Sequence, residues 1–132
     1  SIEIQKVFLD WWKPEIGDLA TGRYANIVAI SSQRDIDAVK IYKGEPYAIP
    51  LFTEGQLRKF IEDKTNGLLD VECNDLNDDY YFYTIRIFEI KELEYGKEFG
   101  EILIEEYIEC EDLLQAYWKV ACMVAKEGLN EI

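Results

Sequence analysis

Histidine is missing from this chain altogether, and positive charge is scarce: 14 lysines and arginines stand against 27 aspartates and glutamates, a net charge of -13 over 132 residues. Without an imidazole there is no Ser-His-Asp or Cys-His mechanism and no histidine-ligated metal. Cysteine is rare too. Cys73, Cys110 and Cys122 are an odd number and form no CxxC pair, so they outline neither a disulfide framework nor a zinc site. They read as reduced, structural thiols that should be buried, the habit of free cysteine.

Long apolar runs are also lacking. The best, Tyr24 to Ile30, is far short of the ~20 residues that cross a bilayer and contains Asn26. The opening residues Ser1 to Lys6 show no basic segment followed by an apolar one. These absences favour a cytoplasmic location without membrane attachment. Neither GxxxxGK[ST] nor GxGxxG occurs, so the usual phosphate cradles are missing and no cofactor is expected. No repeat and no Pro-, Gly- or Ser-rich linker divides the chain.

What is present is core material. Apolar residues make up 48% and aromatics 14%, too much for a disordered chain despite the charge. The length suits one domain over residues 1–132. Ile4, Val7, Phe8, Trp11 and Trp12 follow helical spacing, and Pro14 should end that helix near Trp12, with both tryptophans packed in the core. Tyr24 to Ser31 reads as a strand, Ser32 to Asp35 as a turn, and Ile36 to Tyr42 as a second strand able to pair with the first. Tyr47 to Phe52 contains Pro50 and suits at best a sheet edge.

Thr53 and Gln56 make a capping box, which starts a helix over about Glu54 to Thr65, with a stop near Gly67. The run from Tyr80 and the run Glu101 to Glu109 are the clearest strands, joined as an antiparallel hairpin through Tyr95 to Gly100. Asp112 and Gln115 then open a terminal helix with Leu114, Tyr117, Trp118, Ala121 and Val124 on its core face, stopping near Gly128. The resulting expectation is an α+β fold with an antiparallel sheet of four to five strands and about three helices mainly on one face.

The acid is concentrated. Residues 70–112 hold 15 acidic and 3 basic side chains, a balance of -12, while the flanking segments are nearly neutral. Asp70, Glu72, Asp75, Asp78 and Asp79 read as an acidic loop. Glu101, Glu105 and Glu109 share one parity of the last strand, spaced about 6.6 Å apart for every two residues. Tyr107 falls on that parity too, and Tyr80, Tyr81 and Tyr83 lie close in sequence as candidate anchors. An EF-hand register from Asp70 fails, because Asp75 stands where glycine is needed and Tyr81 where glutamate is needed, so no metal site is expected.

Such a field repels phosphate backbones, which argues against direct nucleic-acid binding. It attracts and orients basic surfaces. The expectation is therefore a non-catalytic inhibitor that covers a basic protein, most concretely an immunity protein neutralising a nuclease toxin, with Asp70, Glu72, Asp75, Asp78, Asp79, Glu101, Glu105, Tyr107 and Glu109 at the contact. A nucleic-acid mimic directed at a DNA-binding defence protein is one alternative. An enzyme with an all-carboxylate acid/base site is another, and it would need a carboxyl group whose pKa is raised in a closed pocket.

Overall fold

The computed structural model describes residues 2–22, 26–43, 49–76, 80–110 and 112–130; the side chains of residues 74–76, 80–82 and 129–130 fall outside that description. The chain divides into two compact units, residues 1–52 and 53–132. The class is α+β. Among the described residues there are four helices and two three-stranded antiparallel sheets, in place of one sheet of four to five strands and about three helices.

In the first unit, α1 (Ile2–Trp11) buries Phe8, and Pro14 ends the helix as its clash with the preceding residue requires. Lys43 Nζ donates to the carbonyl oxygens of Leu9 (2.8 Å) and Trp12 (3.3 Å), satisfying acceptors that the helix leaves open. Strands β1 (Leu19–Thr21) and β2 (Ile27–Ala29) pair, with β3 (Pro50–Leu51) on the other side of β1. Pro50 thus occupies an edge, where its missing N–H costs least. Trp12, Ala20 and Ile30 form the core, with Trp11, Ile36, Val39 and Phe52 against it. The Trp12 indole donates to Asp18 Oδ2 at 3.0 Å, which anchors the chain after the helix.

The segment expected as a second strand is a helix, α2 (Gln33–Tyr42). Ser32 caps it by accepting from the Asp35 N–H, and Gln33 Nε2 donates to Asp37 Oδ1 at 3.0 Å along the first turn. The turn-like residues Ser32 to Asp35 were therefore a helix start. Ile36 and Val39 sit three apart and reach the core together, a spacing that satisfies a helix as well as their β-branching satisfies a strand.

In the second unit, α3 (Glu54–Thr65) begins at the expected capping box, with both Thr53–Gln56 hydrogen bonds formed. Asn66, not Gly67, ends it, in the left-handed conformation at φ 53°. Three antiparallel strands follow: β4 (Gly67–Leu76), β5 (Tyr80–Leu93) and β6 (Gly96–Glu109), in that spatial order. The hairpin turn is only Glu94–Tyr95, because Leu93 already pairs with Gly96 at φ +143°, a value suited to glycine.

Helices α3 and α4 (Leu113–Asn130) pack on each other and on one face of this sheet. The alternation Leu69, Ile85, Ile87, Ile108 supplies the inner face, against Leu57, Phe60 and Ile61 of α3 and Val120, Ala121 and Val124 of α4. Trp118, expected in that core, is 46% exposed, and Leu114 is exposed as well. The buried stripe of α4 instead runs through Ala116, Tyr117, Val120, Ala121, Val124 and Ala125, about 180° of helix that leaves Trp118 just past its margin. The helix also continues through Gly128 to Asn130.

Candidate functional site

The segment expected as an acidic loop is largely strand β4. Its acids are compatible with a strand because they alternate with Leu69 and Val71: the apolar residues face the helices and the acids face away. Asp70 lies opposite Arg86 and Glu72 opposite Thr84 on β5; across β5, Arg86 is opposite Glu105 and Thr84 opposite Tyr107 on β6. The outer face of the sheet therefore carries two adjacent rows, Asp70–Arg86–Glu105 and Glu72–Thr84–Tyr107, with Glu109 two residues beyond Tyr107 on the same strand.

One cation organises this face. Arg86 Nη1 donates to Glu72 Oε2 at 2.9 Å and Arg86 Nε to Glu105 Oε2 at 2.8 Å. Tyr107 Oη donates to the other Glu105 oxygen at 2.7 Å. The Tyr107 hydroxyl, and after it the Arg86 guanidinium, hold the Glu105 carboxyl below its ordinary value. The same hydrogen bond pushes the Tyr107 phenol up, and the two carboxylates, Glu72 first, raise Arg86. Glu72 and Glu105 are thus oriented by a fixed donor, while the exposed Asp70 and Glu109 make no ion pair among the described residues. Thr84 is fully buried between Glu72 and Tyr107.

Glu101 does not join this face. Register shifts in the β5–β6 pairing put Ile102 opposite Phe88 and Phe99 opposite Ile90, so the extra residues of β6 turn Glu101 out of line with Glu105. At the second bulge Gly100 is required by space, since a Cβ there would lie 2.9 Å from the Glu89 carbonyl oxygen. The outer face therefore changes character along β6: Glu109, Tyr107 and Glu105 are followed by Ile102 and Phe99, whose ring meets that of Phe88 at 4.8 Å between centroids. Tyr107 is 65% exposed, and Phe99, Ile102 and Leu103 are each about half exposed.

Of the other expected contact residues, Asp75 lies on β4 opposite Tyr81, its side chain outside the described ones, and Asp78 and Asp79 lie outside the described residues. Tyr83 pairs with Ile108 on the inner side, where burial pushes its phenol up, so it is no surface anchor. The residue that the sequence reading missed is Arg86. Its signal was present as the single basic residue in the strand Tyr80 to Ile90.

The cysteines are not buried as expected: Cys73 is exposed and Cys110 and Cys122 are half-buried, because the fully buried inner stripe is filled by aliphatic and aromatic residues. Burial still pushes the Cys110 and Cys122 thiols up, away from thiolate reactivity. Among the described residues no group of three Cys, Asp or Glu side chains is placed to hold a metal ion, and no helix is long and apolar enough to cross a membrane.

The first unit has an apolar groove of about 420 Å³ lined by Ala20, Val28, Ile30 and Val39, with Asp35 and Tyr42 at its polar points. The Asp35 carboxylate already accepts from the Ser31 N–H and hydroxyl, which hold its pKa down. The Asp35 and Glu105 carboxyl groups are both shifted downward, opposite to what a general acid needs. Searches of family models, curated proteins and solved structures found nothing that matches this chain.

Proposed function

We propose that this protein is a non-catalytic binding module that docks a basic surface of another protein onto the outer face of the β4–β5–β6 sheet, and that it acts as an inhibitor by covering that surface. The supporting observation is the composition of this face. Asp70, Glu72, Glu105 and Glu109 are displayed on one face of the sheet, two of them held by Arg86, beside an exposed tyrosine and an apolar strip of Phe99 and Ile102. Fixed carboxylates steer a positive partner, and the apolar strip supplies the dehydrated centre that an interface needs.

The concrete form of this reading is an immunity protein that neutralises a nuclease toxin in the cytoplasm by occluding its substrate groove. A toxin groove that binds nucleic acid is basic, so the same charge that disfavours direct phosphate binding favours this target. The test is a pull-down from the source cell at low and at high salt, read by mass spectrometry. One basic protein retained at low salt and released at high salt is expected; retention that is indifferent to salt, or the absence of any specific protein, counts against the reading.

A further inference from the structure

The two edges of the β4–β5–β6 sheet are not alike. On β4 the backbone of Leu69 is closed off by α3: its N–H donates to Glu62 Oε2 at 3.1 Å, and Arg58 Nη2 donates to its carbonyl oxygen. Glu62 and Arg58 also face each other at 3.6 Å, so the closure is held by a pair of side chains. Among the described residues of this unit, the edge at β6 has no such cover. Among the described residues the one group that reaches its backbone from outside the sheet is Lys119 Nζ, 3.4 Å from the Glu109 carbonyl oxygen at the strand's very end.

Strand β6 is also divided. Its two bulges break the stretch before Ile104, a common device against edge pairing. From Ile104 to Glu109 the register is uninterrupted, six residues of regular ladder that no strand among the described residues pairs on the outer side, the length of an ordinary strand. Glu105, Tyr107 and Glu109 flank this edge on the outer face, and Glu106 flanks it on the other.

Charge selects the occupant. Two copies of this chain joined edge to edge about a two-fold would set Glu106 opposite Glu106, or Glu105 opposite Glu109 twice, in the registers that use most of the stretch, and like charges directly opposite repel. A strand carrying lysine or arginine on alternate positions meets opposite charge instead. We infer that Ile104–Glu109 is a strand-addition site that receives an extended, basic segment of the partner protein, adding a fourth strand to the sheet. This inference rests on the docking reading above and specifies how the partner is held.

The experiment titrates the isotope-labelled full chain with a synthetic peptide that alternates lysine and valine, and reads amide hydrogen exchange by NMR at low salt. Alternate amides of residues 104–109 should gain protection, and a glutamate–valine peptide should give none. Glu105→Gln with Glu109→Gln should weaken the basic peptide by about tenfold through two lost charge pairs, with the spectrum of the fold preserved. Peptide binding that shifts the outer-face residues but leaves the β6 amides exchanging freely would overturn strand addition while leaving the docking face in place. No binding of the basic peptide at low salt would overturn the inference also, whereas the pull-down bears separately on the docking reading.

Discussion

Phe60 is the largest fully buried side chain among the described residues, with 0% of its surface exposed, and it stands on α3, which packs on α4 and β4. Replacing it by alanine removes a ring from a core that helices and sheet close on both sides, and such truncations cost about 3–5 kcal/mol. The second unit has 80 residues, 53–132, for which a total stability of about 4–12 kcal/mol is ordinary. Phe60→Ala should therefore consume a large share of the margin. In urea, at about 1–2 kcal/mol per molar, the unfolding midpoint followed by circular dichroism should fall by about 1.5–5 M. Trp118→Ala removes a bulkier ring, yet that ring is 46% exposed and the loss should stay near 1–2 kcal/mol. If the tryptophan variant proves the more damaging of the two, the assignment of the core stripe on α4 is wrong.

Three further outcomes follow from single residues. Asn66 is left-handed at φ 53°, so Asn66→Ala should cost about 1 kcal/mol while Asn66→Gly is neutral or stabilising, read from thermal melts. Asp18→Ala strands the buried Trp12 indole N–H and should cost about 1–3 kcal/mol in the same assay. Glu105 should titrate below its ordinary value by carboxylate NMR, and Tyr107→Phe should bring it upward; because the folded pKa is the lower one, its contribution is present above about 4.5 and fades as pH falls through the folded value.

The sequence was most legible where a local rule acts without help from the rest of the chain. Thr53 and Gln56 satisfy each other across one turn, so α3 began where the capping box placed it. The aromatic and β-branched run after Tyr80 and the glycines near the turn were equally self-sufficient signals for the hairpin. Legibility failed where two rules competed. Ile36, Val39 and Ile41 satisfy strand preference and helical spacing alike, and the Ser32 cap decided the matter in favour of α2.

In β4 the abundance of Asp and Glu hid a period of two, Leu69 and Val71 inward against Asp70 and Glu72 outward, which only a covering pair of helices makes worthwhile. Strand β1, three residues long, has too little pattern to announce itself. The candidate site was half readable: Glu105, Tyr107 and Glu109 share a face by simple alternation, but the bulges that remove Glu101 depend on the partner strand. Arg86 stood out as a lone cation in sequence, yet its two carboxylates come from strands 14 and 19 residues away and meet it only through the register.

The most direct test of the docking face is the association rate of the captured basic partner with the wild-type chain and with the Asp70→Asn, Glu109→Gln variant, measured across a range of salt. Both carboxylates are exposed and lie outside the Arg86 cluster, so the fold should be unaffected. The wild type should associate faster by roughly an order of magnitude at low salt, with the two curves converging as salt screens the field. Identical rates for the two proteins at every salt concentration would contradict the account.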